Sequence, residues 1–193
     1  WAEKWQEDML AAGGAEFFES LLNSQGFKPE LQLNSIVLPK DETILCVWGS
    51  RIKKNNQIYN QFNNGGFHIL EIPVPDKLST ADSLINKYTQ LGSEWLSKTG
   101  RIVLTFTFKT QHLEFLTDVT AQIVKNLLKV RKIGELLIEG GSTASAIARE
   151  MGWEQFDPTD ELIPGVVRFQ VANEPDLYLT VKPGSYLWPN KFL

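Results

Sequence analysis

The residues best suited to chemistry are Gly140-Gly141-Ser142-Thr143, which lie between an apolar run at 136–138 and an alanine-rich segment at 144–148. This order is typical of a strand, a tight turn and the start of a helix. Glycine lacks the Cβ that would keep a ligand oxygen away from the backbone, and the first amides of a helix have no internal partner. The four residues therefore predict a phosphate cradle. They are equally typical of an ordinary strand-to-helix turn in which a hydroxyl caps the helix.

This turn would be too weak to bind a ligand alone. A helix N-terminus contributes about 0.3 to 2 kcal/mol to the binding of an anion, whereas micromolar affinity requires about 8 kcal/mol. The sequence contains neither a Walker A pattern nor GxGxxG. Two other stretches could contribute: Gly49-Ser50, which follows an apolar run, and Lys182-Pro183-Gly184, which combines a cation with a glycine turn.

Other residues that could bind a metal or act as nucleophiles are better explained by structure. His68 and His112 have no acidic or cysteine partner at metal-ligand spacing, and Cys46 lies within an apolar run. Asp157 and Asp160 flank a proline, so we expect them to form a turn rather than to bind Mg²⁺. Four aromatic residues could supply a wall for a base or could simply pack in the core: Phe106, Phe108, Trp153 and Trp188.

The elements that would position these residues alternate regularly. Short apolar runs at 44–48, 67–72, 101–106 and 136–138 predict strands, and amphipathic segments between them predict helices. Two further strands are predicted at 165–171 and 177–181 as an antiparallel pair. The fold class that we predict is a three-layer α/β structure with a mainly parallel, Rossmann-like sheet, helices on both faces and this C-terminal antiparallel pair. Ligands of such sheets bind at the carboxyl ends of the strands, which selects the loops at 49–50, 105–109 and 140–143.

Composition excludes several classes of function. The chain has 193 residues, of which 42% are hydrophobic and 22% are charged, and its net charge is −4. This balance predicts a globular protein that does not bind nucleic acid. The single cysteine allows no disulfide framework, and neither a signal peptide nor a membrane span is evident, so we expect a cytoplasmic protein. Because the first residue is Trp1, we expect the sequence to be a segment of a longer chain.

The ordered motifs together resemble a known family. Gly49-Ser50 after the first strand, Gly140-Gly141-Ser142-Thr143 before a helix, Ile163-Pro164-Gly165-Val166 and the terminal Lys182-Pro183-Gly184 resemble the nucleotide-binding C-terminal domain of the four-carbon acid sugar kinase family. The stretch at 11–18 also resembles the start of that domain. The resemblance covers nearly the whole chain.

The resemblance implies an organisation and a function. It implies a leading helical segment at 1–29 packed on the main domain, a connection at 30–42 and a nucleotide-binding α/β domain at 43–193. It also implies ATP and Mg²⁺ as cofactors, with a four-carbon sugar acid such as erythronate or threonate held by an N-terminal domain outside this chain. The base that activates the sugar hydroxyl would lie on that domain, so we name no catalytic residue. Whether the protein forms a homodimer is left open.

The same resemblance implies which residues contact the nucleotide. Ser50 would donate to a phosphate, and backbone amides from Gly141 to Thr143, next to Gly140, would cradle phosphates. The site would be closed by Lys182 or Gly184. No metal ligand is assigned to the chain.

Two departures from the family pattern keep alternatives open. The family usually has a second serine two residues after the first and an acid after the paired glycines, where this chain has Ile52 and Ser142. One alternative is therefore a non-catalytic module that binds a nucleotide or another phosphorylated ligand and acts in interaction or sensing. Another, which is independent of the resemblance, is a flavodoxin-like domain for a different phosphorylated ligand.

Overall fold

The computed structural model of the chain describes residues 13–27, 42–49, 57–73, 81–107, 113–163, 165–184 and 188. The chain divides into two compact units, residues 1–34 and 35–193. The first unit contains helix α1 (Ala15–Ser24), which begins after Gly14 and ends before Gly26, a residue with a φ of +87°. The positive φ explains the stop, because glycine adopts this conformation more easily than other residues.

The second unit is built on one seven-stranded sheet, whose strand order is β2-β3-β1-β4-β7-β6-β5. Its elements in chain order are β1 (Ile44–Trp48), α2 (Gln57–Asn64), β2 (His68–Pro73), α3 (Ala81–Thr99), β3 (Arg101–Thr107), α4 (Leu113–Val130), β4 (Glu135–Glu139), α5 (Gly141–Met151), β5 (Phe156–Ile163), β6 (Val166–Val171) and β7 (Glu174–Lys182). The pairings among β1, β2, β3, β4 and β7 are parallel, whereas β6 pairs antiparallel with both β7 and β5.

The central strands are buried on both faces, as their continuous apolar runs predict. All five residues of β1 are buried, and alternate side chains enter two separate hydrophobic clusters. Leu45 and Val47 face the cluster that includes α3, α4 and α5, whereas Cys46 faces the cluster that includes Phe62 of α2. Helices therefore cover both faces of a mainly parallel sheet, and the predicted fold class is confirmed.

The order of the strands creates a switch point between β1 and β4. After β1 the chain continues to β2 and β3 on one side, whereas after β4 it continues to β5, β6 and β7 on the other. The connections that leave these two neighbouring strands therefore diverge. A crevice at the carboxyl ends of such a strand pair is where open α/β sheets bind their ligands.

One strand was missed by the sequence analysis. The prediction that Asp157 and Asp160 form a turn is wrong, because both residues belong to β5 at the edge of the sheet. Pro158 suggested a turn, but an edge strand accommodates a proline that cannot donate to a ladder. The register of β5 against β6 also shifts between Pro158 and Asp160, which removes the regular alternation that would reveal a strand.

The predicted antiparallel pair is confirmed as β6 and β7, but β7 also pairs in parallel with β4. The pair therefore continues the parallel sheet. In the described residues no helix is long and apolar enough to cross a membrane.

A buried ion pair joins β4 and β6. Glu135 is fully buried, and its carboxylate accepts hydrogen bonds from Arg168 Nη2 at 2.7 Å and from the Thr180 hydroxyl at 2.7 Å. The Arg168 guanidinium carbon also lies 3.6 Å from the centre of the Tyr178 ring. Burial raises the pKa of Glu135 above its ordinary value, although the hydrogen bonds from Arg168 and Thr180 oppose this effect.

We expect Arg168→Met to lower the free energy of unfolding by about 3–5 kcal/mol at neutral pH, because it leaves Glu135 buried without a cation. Urea denaturation would measure the loss. The double variant Arg168→Met/Glu135→Leu should lose less, since it buries no charge.

The loss should also depend on pH. A carboxyl whose pKa is raised by folding favours the folded state below its unfolded pKa, and this contribution is lost as pH rises through the folded pKa. Without Arg168 the pKa of Glu135 should rise further, so the loss should be smaller near pH 4 than near pH 7.5. A loss that is equal at both pH values would contradict this account. As a control, Lys132→Met removes the exposed pair with Asp176 and should not change the denaturation midpoint.

Candidate functional site

Three side chains lie in one row across the carboxyl ends of the central parallel strands. Trp48 is the register partner of Glu139, and Glu139 is the register partner of Lys182. Because partners in register share a face of the sheet, the three side chains point to the same side. The row crosses the switch point between β1 and β4 and continues onto β7.

The ammonium group of Lys182 is enclosed in this row. Its Nζ lies 3.1 Å from Glu139 Oε2, and the two side chains are only 1% and 2% exposed. The same Nζ lies 5.3 Å from the ring centre of Trp48 and 5.6 Å from that of Trp188, and it donates to the carbonyl of Pro183 at 3.0 Å. The lysine charge is therefore balanced by a carboxylate and by two indole faces.

Cys46 lies in the same hydrophobic cluster as Trp48 and Trp188. Burial raises the pKa of its thiol well above the ordinary value, and the nearby charge of Glu139 raises it further, whereas Lys182 lowers it. The thiol is therefore protonated at neutral pH, so it is not a nucleophile.

The turn after β4 is held by the backbone of β7. Gly140 has a φ of +98°, a conformation that glycine adopts without strain, and its amide donates to the Lys182 carbonyl at 2.9 Å. Helix α5 begins at Gly141, and its first internal hydrogen bond runs from the Ala144 amide to the Gly140 carbonyl. The N-cap residue is therefore Gly140, and no described side chain caps the helix. The amides of the first turn remain suited to an anion.

A close approach at Gly49 fixes the first turn of α5 against the end of β1. A Cβ added to Gly49 would lie 2.6 Å from Thr143 Oγ1 and 2.7 Å from the Glu139 carbonyl oxygen. Only glycine fits this contact without a shift of the backbone. Thr143 is 6% exposed, so it packs inward and does not face solvent.

The described residues leave the other side of the turn open. A Cβ added to Gly141 would meet no described atom within 4 Å, and the same is true of Gly184. Gly141 and Ser142 are both exposed. A ligand oxygen can therefore approach the amides at the start of α5 from solvent.

The structure brings most of the predicted site residues to one edge of the sheet. Gly140 and Lys182 are joined by a hydrogen bond, Thr143 packs against Gly49, and Gly184 follows β7. Ser50 lies outside the described residues, as do Phe108 and His112.

Two members of the row were not assigned to the site from the sequence. Trp48 and Glu139 each end a buried strand, and the signal that could have revealed them is a polar or aromatic residue at the last position of an apolar run. The position of Trp188 beside Lys182 depends on the fold and could not be predicted from the sequence around either residue.

The described residues contain no group of three acidic, histidine or cysteine side chains that could hold a metal ion. His68 stacks on Trp95 with 3.4 Å between ring centres, and burial lowers its pKa. Asp160 lies 3.8 Å from Arg168, in the network of Glu135 rather than at the turn.

Comparison with solved structures shows where this fold occurs. A protein from Salmonella typhimurium LT2, provisionally described as a tRNA synthase, superposes with a TM-score of 0.59 at 14% identity over 82% of this chain and 40% of its own. A domain of unknown function (DUF1537) from Bordetella bronchiseptica, a domain-swapped dimer with bound citrate, gives a TM-score of 0.59 at 14% identity, over 77% of this chain and 38% of that structure. A DUF1537 protein from Haemophilus influenzae gives a TM-score of 0.50 at 16% identity, over 91% of this chain and 44% of that structure.

These likenesses establish the fold, and the chain spans about two-fifths of the length of each structure. Comparison with curated protein sequences gave no match. A family model described as a nucleotide-binding C-terminal domain matches residues 45–186, which include the whole row and the turn before α5. The resemblance drawn from the sequence is thereby confirmed, and the chain belongs to the family of nucleotide-binding C-terminal domains.

Proposed function

We propose that this chain is the ATP-binding domain of a kinase that phosphorylates a four-carbon sugar acid, such as erythronate or threonate. The observation that carries the proposal is the family match over residues 45–186, which ends beyond the switch-point turn. Binding and orientation of the nucleotide are the tasks of this chain. The proposed domain spans 43–193, after a helical segment at 1–29 and a connection at 30–42.

The phosphates of the nucleotide would lie at the start of α5. Support comes from the open approach to Gly141, from the exposed hydroxyl of Ser142 and from the uncapped amides of the first turn. A helix N-terminus attracts an anion through these amides and through its dipole. Ser50 and Gly184 are the further contacts that we propose on either side of the turn.

Lys182 would act by positioning this turn. Its ammonium group is paired with Glu139 and is almost fully buried, whereas its carbonyl oxygen accepts the Gly140 amide. The side chain therefore fixes the end of β7, and the backbone of β7 fixes the glycine turn. This is a different role from a lysine that meets phosphate directly as a point charge.

Mg²⁺ would arrive with the nucleotide. The described residues provide no carboxylate cluster for it, and Mg²⁺ commonly binds substrate phosphates while it keeps several waters. Ser142 is the exposed hydroxyl of the turn that could contact the ion or its waters. When bound, the ion would neutralise part of the negative charge of the phosphates.

Phosphoryl transfer would occur in a cleft between this domain and an N-terminal substrate domain outside the chain. The chain spans only 38–44% of the DUF1537 structures above, which supports such a partner domain. Phosphoryl transfer depends mainly on positioning and charge stabilisation, and the base for the sugar hydroxyl would come from the substrate domain. Because this reaction consumes ATP, we propose the cytoplasm as its location.

A second candidate is a non-catalytic nucleotide-binding module of the same fold. It is supported by Ser142, which stands where the family usually has an acid. Phosphorylation of a four-carbon sugar acid by the longer parent protein would exclude this candidate. Nucleotide binding without any transfer to a panel of such acids would support it.

We expect calorimetry to detect ATP binding in the presence of Mg²⁺, with amide chemical-shift changes at the start of α5. Gly141→Asp should lower the affinity for ATP at least about 10-fold, because a carboxylate within about 4 Å of phosphate repels it by several kcal/mol. The same variant should not lose stability, since an acid in the first turn of a helix is favourable by about 0.3–1 kcal/mol.

Gly141→Asn is the matched control, because it adds a side chain of nearly the same size without the charge. It should retain more of the affinity than Gly141→Asp. Absence of ATP binding to the unaltered protein, or equal losses in the two variants, would contradict the phosphate site.

A second experiment separates the two roles of Lys182. Lys182→Met should destabilise the protein by about 3–5 kcal/mol, because it leaves the carboxylate of Glu139 buried without a cation. The double variant Lys182→Met/Glu139→Gln removes both charges and should recover much of this stability.

In the double variant we expect the dissociation constant for ATP to stay within about threefold of the original value, because the backbone contact to Gly140 is retained. A loss of about 10-fold or more in a folded double variant would instead show that the ammonium group contacts phosphate, since one charge-assisted contact contributes about 1.5–3 kcal/mol. Calorimetry measures the affinities, and urea denaturation measures the stabilities.

A further inference from the structure

An apolar slot lies beside α5 on the face of the sheet opposite to the Lys182 row. Its volume is about 190 Å³. The helix contributes Ala144, Ser145 and Ala148 to the lining. The strands contribute Phe156, Phe169, Leu179 and Val181, from β5, β6 and β7.

The slot exists because the sheet extends beyond its helices. Helix α5 is the last helix in the described part of the chain, and β5, β6 and β7 follow it. The two alanines of α5 in the lining are small, so the helix does not fill the space above Leu179 and Val181. Phe156 and Phe169 form the outer wall, with 6.2 Å between their ring centres and 70° between their planes.

The size and the chemistry of the slot fit one flat ring system. Pockets for whole drug-sized ligands measure about 300–1,000 Å³, so the slot is too small for an entire nucleotide. Six of the seven lining side chains are aliphatic or aromatic, and the seventh, Ser145, carries a hydroxyl. Such a surface binds a ring by stacking and shape, with few hydrogen bonds to distinguish one ring from another.

The slot lies next to the glycine turn. Ala144 and Ser145 follow Gly141 by three and four residues, which corresponds to about one helical turn or roughly 5–6 Å along α5. On the strand side, Val181 immediately precedes Lys182, whose carbonyl holds Gly140. A ligand with phosphate at the start of α5 therefore has a ring-sized apolar site one helical turn away.

We propose that this slot is the subsite for the base of the nucleotide, and that it accepts purines with little discrimination between adenine and guanine. The inference rests on the proposed function, because it takes the phosphates to lie at the start of α5. The base stacks against Phe156 or Phe169 and covers the two alanines. Ser145, at the rim, is the lining hydroxyl that can reach an edge of the ring.

The first test compares ligands that share the phosphates and differ in the base. In calorimetry with Mg²⁺, ATP should bind at least about 10-fold more tightly than inorganic tripolyphosphate, because stacking of a base on aromatic side chains contributes a factor of this size. GTP should bind within about threefold of ATP. Equal affinities for ATP and tripolyphosphate would overturn the inference, as would a large preference for one purine.

The second test fills the slot. Ser145→Leu should weaken ATP binding to about the level of tripolyphosphate and should leave tripolyphosphate binding unchanged. Ser97→Leu is the matched control, because it makes the same substitution at an exposed position of α3 outside the slot and should change neither affinity. If Ser145→Leu weakened both ligands equally, the slot would not be the base subsite.

The outcomes distinguish the two proposals. Binding of tripolyphosphate without any advantage for ATP would overturn the base subsite and retain the phosphate site. If neither ligand bound the unaltered protein, the proposed function itself would fail. Should Ser145→Leu not fold, Phe169→Ala removes a wall of the slot and should reduce the advantage of ATP over tripolyphosphate.

Discussion

The ion pair between Lys182 and Glu139 is the interaction on which the switch-point end of the sheet depends. Two charges that are almost fully buried can persist only if they remain close together, because either one alone would carry a large desolvation cost. The pair therefore fixes the end of β7 against the end of β4. The Lys182 carbonyl also accepts the Gly140 amide, so the backbone at the end of β7 determines where α5 begins. The glycine turn is thus positioned by the backbone of the residue whose side chain forms the pair.

Charge pairing at both ends of β4 also specifies its register. Glu135 lies at the amino end with Arg168 and Thr180, and Glu139 lies at the carboxyl end with Lys182. Residues 135 and 139 are an even number of positions apart, so both point to the same face. A slip of one residue would move both carboxylates to the opposite face, among apolar side chains of the neighbouring strands such as Leu45 and Leu179. Apolar strands that are buried on both faces specify register poorly, and the two acids supply what the hydrophobic pattern lacks.

The sequence predicts what depends on local periodicity. The buried runs of β1 and β4 and the glycine that precedes α5 were recognisable because continuous apolar stretches and paired glycines have local causes. Strand β5 was not recognisable, because Pro158 and two acids at a sheet edge resemble a turn when the partner strand is unknown. Lys182 was identified as a candidate residue, but its partner could not be, since Glu139 and Lys182 are 43 positions apart in sequence and meet only through parallel strand pairing. Side-chain roles that arise from pairing of distant strands require the fold.

Helix α5 links the two parts of the proposed nucleotide site for one physical reason. A helix offers polar groups only at its ends, where amides lack partners, and it offers side chains along its length. The start of α5 meets solvent beside Gly141, while the side of α5 that carries Ala144 and Ala148 lies against three strands with no further described helix above them. An anionic group and a flat apolar ring have opposite requirements for solvation. In the described part of the chain, α5 satisfies both requirements within about one turn, because its first amides are exposed and its flank lies beside apolar side chains.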